Sequence, residues 1–383
     1  MNPLPLQPVT LLTPPRVDFG AGSLSTALRV LAQGRARVLI LTTAAVRGHA
    51  ARALAAVQAA GAQVELFEEP PAEPTVASCE DLLRRARRVR PDLVVGLGGG
   101  SILDAAKLVA ALHDRSERIA PFMGSGLVPA RTTGLVCVPT TAGTGSEASP
   151  NALLLDEAAN AKKAVISPAL VPDAAIIDPE LTQSLPPSLT ATTGLDALAH
   201  CLEAYASLGA HPAIDLYALE GVRLIGKNLP AAVADGADLS ARSAVALGSF
   251  YGGLCLGPVN TNGVHALAYP LGGEYHLPHA LSIALMLPHV VAFNCVALPA
   301  RHAALARALG ADGSDAEAAG QLPSRLHALI AACGVPLGLA HHDVPRDALP
   351  RLADAGLQVT RLLKANPRPI SRDAAIRIYE AAY

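Results

Sequence analysis

The hydrophobic pattern of the chain changes period once, at Leu185-Pro186-Pro187. Before that point short apolar runs alternate with helical stretches. Val38 to Thr42 reads as a buried strand, followed by a helix from about Gly48 to Ala60. Val64 to Phe67 is a second strand, Val76 to Arg90 a helix, and Leu93 to Gly96 a third strand. Further strands are predicted at Leu135 to Val138, Ala152 to Leu155 and Ala174 to Ile177. Strands separated by helices need crossover connections, and such crossovers build a mostly parallel sheet. After Pro187 the segments 188–207, 212–230, 239–256, 263–271, 279–293, 302–309, 322–333, 345–356 and 371–382 are rich in Ala and Leu at helical spacing, without alternating runs. The pattern predicts an α/β domain over residues 1–184 and an all-α domain over 185–383. A chain of 383 residues suits two such cores, because single cores stop growing near ~250–300 residues.

Composition narrows the function. Thirty basic against thirty-two acidic residues argue against a general nucleic-acid binder. The run Arg84, Arg85, Arg87, Arg88, Arg90 reads as a solvated helix face ending at Pro91. Six scattered cysteines (79, 137, 201, 255, 295 and 333) form no CxxC pair and read as core residues of a reducing compartment. No uncharged apolar run reaches the ~18 residues of a membrane span. The Pro-rich leader Met1 to Pro15 lacks a signal pattern. The expectation is a soluble cytoplasmic protein.

Gly98-Gly99-Gly100-Ser101 follows the third strand and opens a helix from about Ile102 to Leu112. Glycines let a phosphate approach the backbone without Cβ clashes, and a helix N-terminus offers free N–H groups with a partial positive charge. Ser101 can cap that helix or donate to the phosphate, and Lys107 lies two turns in. A second loop, Pro139 to Glu147, brings Thr140, Thr141, Thr144 and Ser146 to the end of another strand, where doubly wound sheets bind ligands. Two such loops predict an extended phosphate-bearing ligand, most simply a dinucleotide, although neither matches G-x-G-x-x-G.

In the second half, Gly194 to His200 places Asp196 and His200 four residues apart on one helix face. Further on, Gly263 to His279 carries His265, His276 and His279. Burying an unpaired carboxylate or imidazole is costly, and a divalent cation satisfies several at once. One carboxylate plus imidazoles suits Fe(II) or Zn(II), and the absence of thiolates fits a catalytic site. On composition alone His276 and His289 compete as ligands.

The series GGGS, PTTAGTGSE, GLDALAH and HALAYPLGGEYHLPH resembles the iron-dependent (group III) alcohol dehydrogenases. The resemblance runs from Val17-Asp18-Phe19-Gly20-Ala21-Gly22 to about Asn294 and resumes at Asn366-Pro367-Arg368-Pro369. It implies the fold shared with dehydroquinate synthase: an N-terminal dinucleotide-binding domain and a helical C-terminal domain, with the metal in the cleft. It implies a homodimer and places the metal ligands on Asp196, His200, His265 and His279, skipping His276. The same resemblance lays NAD(H) or NADP(H) along Gly98, Gly99, Gly100 and Ser101, with Thr140, Thr141 and Lys162 completing the grip and Asp104 and Lys107 at familiar positions.

Three residues depart from the family pattern. Tyr269 stands where many members carry a second histidine near the nicotinamide, so a phenol or a water relay moves the proton. Thr43 stands where NAD-preferring members carry an Asp for the ribose, which removes a charge that repels a 2′-phosphate. Glu73-Pro74-Thr75 replaces the usual Asn-Pro-Thr. The implied reaction is hydride transfer between a small alcohol or carbonyl compound and nicotinamide, with Asp196, His265 and Tyr269 as the catalytic set. One carboxylate ligand leaves a divalent ion a net charge near +1, which stabilises a developing alkoxide. A maleylacetate reductase ranks second, because that subgroup typically has Asn where Asp196 stands. A dehydroquinate-synthase-type lyase ranks lower, since HALAYPLGG and EYHLPHALSIA offer no Lys or Arg for a sugar phosphate. A non-catalytic nucleotide binder gives no reason for a full ligand set. Phe250, Tyr251, Val259 and Tyr269 are expected to line the pocket from their proximity to the metal motifs.

Overall fold

The computed structural model describes residues 8–69, 74–157 and 161–383. The described residues fall into two compact units. One is Leu12–Ser184; the other is Leu185–Tyr383 together with the described residues up to Leu11. The sequence pattern assigned the whole N-terminus to the α/β part. Instead Val9 and Leu11, both half-buried, pack against Ala204, Ile214, Ala218, Cys255 and Val259 in the helical unit, beside Tyr205 and Tyr217. Val259 is therefore a packing residue, and Tyr251 lies against Tyr217 with the rings tilted by 56° and their centroids 5.6 Å apart.

The first unit runs β1 (Arg16–Phe19), α1 (Ser23–Leu31), β2 (Arg37–Thr43), α2 (Arg47–Ala59), β3 (Gln63–Glu69), α3 (Val76–Val89), β4 (Leu93–Gly98), α4 (Gly100–Leu112), β5 (Gly124–Ser125), β6 (Gly134–Pro139), β7 (Asn151–Asp156), β8 (Ala161–Ile166) and β9 (Ala174–Ile177). Six strands form one sheet in the order β1-β9-β6-β4-β2-β3, parallel at every described pairing. A small second sheet orders β5-β8-β7, with β7 and β8 antiparallel.

Period-2 alternation splits each central strand between two cores. Val38, Ile40, Leu93, Val95, Val136 and Val138 pack under α1 and α2. Leu39, Leu41, Val94, Leu135 and Cys137 pack under α3 and α4. Both faces are covered, which is why these strands read as unbroken apolar runs rather than alternating ones. The chain leaves β2 in one direction for β3 and returns on the other side for β4, so the sheet reverses order between β2 and β4. Open α/β sheets bind ligands at the carboxyl ends of strands at such a reversal.

The second unit contains α5 (Pro187–Tyr205), α6 (Pro212–Ala234), α7 (Leu239–Leu256), α8 (Gly263–Tyr275), α9 (His279–Asn294), α10 (Pro299–Ala308), α11 (Asp315–Ala332), α12 (Leu349–Leu357), α13 (Thr360–Leu363) and α14 (Arg372–Ala381), and no strand among the described residues. Helix α11 begins seven residues before the predicted segment because Ser314 and Glu317 form a reciprocal capping box. Thr75 and Ser78 do the same for α3, while Glu73 lies outside the described residues. In α3, Arg84 pairs with Asp81 and Arg85 with Glu69, and Arg87 donates to the Glu117 carbonyl, as a solvated face would. All six cysteines are buried and free of disulfides. No helix among the described residues is long and apolar enough to cross a membrane.

Candidate active site

In the α/β unit the glycine turn and the Thr-rich loop meet at the ends of adjacent strands. Gly98 is in register with Pro139, and the Thr140 N–H donates to the Gly98 carbonyl at 2.9 Å. Helix α4 starts at Gly100 with Gly99 as its N-cap, and no side chain caps it. Ser101 is thus the second helical residue rather than the cap, and the first amides of α4 remain available to a ligand.

The glycines divide into two kinds. A Cβ on Gly98 would come within 2.8 Å of the Ile102 side chain, and one on Gly100 within 2.6 Å of Thr144. Those two glycines are demanded by the packing of the turn against its own helix and loop. A Cβ on Gly99 would meet nothing closer than Thr141 at 3.5 Å, so only there is the surface open enough for the predicted phosphate approach.

A buried polar network braces this turn from beneath. The Asp104 carboxylate accepts from Ser146 Oγ at 2.5 Å and from the Leu153 N–H at 2.9 Å. Lys162, opposite Leu155 on β8, adds its charge to the same carboxylate. Lys107 is fully buried, and its Nζ donates to the carbonyls of Ser149 (2.9 Å) and Asn151 (2.7 Å) and to Ser149 Oγ (3.3 Å). Glu147 is buried at the loop's end, and desolvation raises its carboxyl to about 7. At the carboxyl end of β2, next to β4, Thr43 is buried and its Oγ1 has no hydrogen-bond partner. An orphaned hydroxyl at the sheet's reversal point, beside an uncapped helix N-terminus, fits a polar phosphate-bearing ligand.

In the helical unit, α5 carries Asp196 and His200 one turn apart, α8 carries His265 and Tyr269, and α9 begins with His279 after Pro278. From Asp196 Oδ1 the distances are 3.6 Å to His200 Nε2, 3.5 Å to His265 Nε2 and 3.8 Å to His279 Nε2. The ligand atoms of Asp196, His265 and His279 all lie within 4.8 Å of one another. Metal–ligand bonds of about 2.1 Å in a tetrahedron put neighbouring ligand atoms about 3.4 Å apart, close to this spacing.

Asp196 Oδ1 and His265 Nε2 are buried, and neither has a hydrogen-bond partner. Two such atoms facing each other at 3.5 Å call for a proton or a cation between them, so the donor set fits a divalent ion. Burial alone would raise the Asp196 carboxyl, but the imidazoles of His200, His279 and His265 hold it well below the usual carboxylate range. Burial alone would lower the His265 imidazole, but the carboxylates of Glu203 and Asp196 bring it up to about 9.

The competing histidines lie elsewhere. His276 is exposed at the left-handed C-cap of α8. His289 faces His327, with ring centroids 5.1 Å apart. The Tyr269 ring sits 5.8 Å from that of His279 and 6.4 Å from that of His265.

Sequence reasoning overlooked Glu203. It lies on α5 seven residues after Asp196, so Asp196, His200 and Glu203 share one helix face, and that spacing was the available signal. Its Oε1 accepts from the Asn262 N–H (2.9 Å) and the Val264 N–H (2.8 Å), and its Oε2 meets His265 Nδ1. Asn366 of the closing motif was also given no place. Its amide pairs reciprocally with that of Asn294, and Asn366 Oδ1 would stand 2.4 Å from a Cβ on Gly263, so α8 begins hard against it.

Comparison with known proteins identifies the family. A family model described as "Iron-containing alcohol dehydrogenase" matches residues 14–179, and one described as "Fe-containing alcohol dehydrogenase family, C-terminal" matches 190–383. Long-chain-alcohol dehydrogenase 1 of Geobacillus thermodenitrificans is 39% identical over 329 residues, spanning 84% of this chain and 83% of that protein. A solved structure of 1,3-propanediol oxidoreductase superposes with a TM-score of 0.94 at 31% identity, covering 98% of this chain and all of the other. The sulfoacetaldehyde reductase of Bifidobacterium kashiwanohense, solved in complex with NAD+, superposes with a TM-score of 0.89 at 28% identity, covering 98% and 99%. Both units are matched in turn, and the relatives span nearly the whole length: the chain belongs to the iron-containing alcohol dehydrogenase family.

Proposed function

We propose that Asp196, His200, His265 and His279 hold a divalent cation, iron or zinc, and that the protein interconverts small alcohols and aldehydes with NAD(H) or NADP(H). The observation that carries this reading is the pair of buried, unpartnered atoms, Asp196 Oδ1 and His265 Nε2, with two further imidazoles around the same carboxylate. When bound, the cation supplies Lewis acidity to the substrate oxygen and the nicotinamide supplies or takes the hydride. The protein's own groups bind and orient. Asp196 contributes the negative charge that anchors the cation, and His265 stands next to it on α8. The uncapped start of α4, with Gly99, Ser101, Thr140, Thr141 and Lys162, receives the dinucleotide phosphates. The segments Gly263–Tyr275 and His279–Asn294 contain no Lys or Arg, which favours a weakly charged substrate.

Thr43 puts a neutral hydroxyl where a carboxylate would repel a 2′-phosphate, so both nucleotides are accepted. The test is anaerobic turnover of NADH and NADPH across short aldehydes and diols, with and without added Fe(II) or Zn(II). Metal-dependent oxidation of both cofactors is expected; metal-independent turnover overturns the metal reading, and turnover of NADH alone overturns the reading of Thr43.

Tyr269 is proposed as the proton carrier, on its placement against the imidazoles of His265 and His279. Tyr269→Phe then lowers kcat roughly 10²-fold with little change in KM, the usual worth of a positioned acid–base group. Wild-type kcat in that variant hands the proton to water.

A homodimer is proposed on the uncovered edge strand β1, where Val17 and Phe19 are about two-fifths exposed. Sedimentation at the mass of a single chain contradicts it. A reducing, cytoplasmic location is proposed on the six free, buried cysteines. Recovery of the activity from a secreted fraction contradicts that.

A further inference from the structure

We infer that Glu203 is a positioning residue whose buried carboxylate sets the tautomer and ring orientation of His265, so that Nε2 faces the cation. The inference rests on the metal reading above. Glu203 is 1% exposed, and among the described residues no Lys or Arg pairs with it. Its partners all belong to the turn that launches α8. Oε1 takes the N–H groups of Asn262 and Val264, the Asn262 side-chain amide donates to the Glu203 carbonyl at 2.9 Å, and Oε2 meets His265 Nδ1.

A carboxylate can only accept, so the proton between Oε2 and the ring belongs to Nδ1. A neutral imidazole with Nδ1 protonated carries its lone pair on Nε2. That atom is 3.5 Å from Asp196 Oδ1, itself a lone-pair donor, and both lack a hydrogen-bond partner. With Nδ1 donating to Glu203, the neutral ring's lone pair lies on Nε2, so Glu203 orients His265 with that atom toward a cation beside Asp196. The ring is held from its flat side as well, stacked on His200 with centroids 5.0 Å apart. A carboxylate behind a ligating histidine is a recurrent way to fix ring and tautomer. It also revises the charge expected from the sequence. With Asp196 alone a divalent site keeps a charge near +1; the Glu203 anion behind His265 brings the whole cluster to neutrality.

The competing reading makes Glu203 only a brace for the first turn of α8. Glu203→Gln separates the two. Its amide oxygen still accepts from Asn262 and Val264, but its NH2 group faces Nδ1, which must now accept, and the ring proton moves to Nε2. Bracing survives and the tautomer inverts. The experiment titrates zinc into metal-stripped wild type and variant against a chromophoric chelator, and records thermal unfolding of both without metal. Expected are similar metal-free melting temperatures and a zinc affinity lowered roughly 10–100-fold in the variant. Equal zinc affinity overturns the inference. If wild type binds no zinc or iron, the metal reading falls and takes this inference with it, a result distinct from equal binding by both proteins. Should the variant not fold, 15N-histidine spectra of zinc-loaded wild type decide the matter. They must show His265 protonated at Nδ1 and metal-bound at Nε2; ligation through Nδ1 overturns the inference.

Discussion

Asp196→Asn is expected to leave a folded protein that purifies with substoichiometric metal and turns over at least about 10³-fold more slowly than wild type, a loss of roughly 4 kcal/mol. The carboxamide keeps the size and shape of the side chain but removes the one anion among the described residues that faces all three imidazoles, at 3.5 to 3.8 Å. Oδ1 makes no hydrogen bond, so the amide breaks none there. Metal content by elemental analysis and kcat with NADH check the expectation together. Full turnover at low metal content would remove Asp196 from the mechanism.

Lys107→Met carries the largest expected effect on stability. Methionine matches the length of lysine but leaves the carbonyls of Ser149 and Asn151 without their donor in a fully buried site, and it strips Asp104 of a cation 3.8 Å away. Removing one member of a buried charged network costs about 3–5 kcal/mol. For a unit of this size that lowers the melting temperature of its transition by on the order of 10 °C. NADH affinity falls too, because Ser149 and Asn151 close the loop that holds Thr140 and Thr141. An unchanged unfolding midpoint, followed by calorimetry, would show that Lys107 contributes nothing there.

The parts of the fold legible in the sequence are those where burial is complete. Strands β2, β4 and β6 are apolar on both faces, so their runs stand out from the helices between them. Strand β1 did not announce itself: it has four residues at a sheet edge, alternately exposed. Strand β8 opens on Ala-Lys-Lys and belongs to a small separate sheet, where Val165 reaches the core beside Ala152 and Leu154 of β7.

At the site, Asp196 and His200 were legible because an apolar helix has no other use for a carboxylate and an imidazole on its buried face. The choice of His279 over His276 and His289 was not. It depends on a left-handed cap that turns His276 outward and on Pro278, after which α9 begins with His279. Glu203 went unseen because glutamate is common in helices, and only the contact with His265 across two helices sets this one apart. The glycine turn was read for one reason and exists for two. Gly99 faces open space, whereas Gly98 and Gly100 are glycine because Ile102 and Thr144 leave no room.

Anomalous diffraction at the iron and zinc edges, on crystals grown from metal-loaded protein with NAD(H), would show whether these side chains hold a cation. One peak per chain is expected, about 2.0–2.2 Å from Asp196 Oδ and the Nε2 atoms of His200, His265 and His279. An active crystal with no peak among these four side chains, or with its metal bound by other residues, would contradict it.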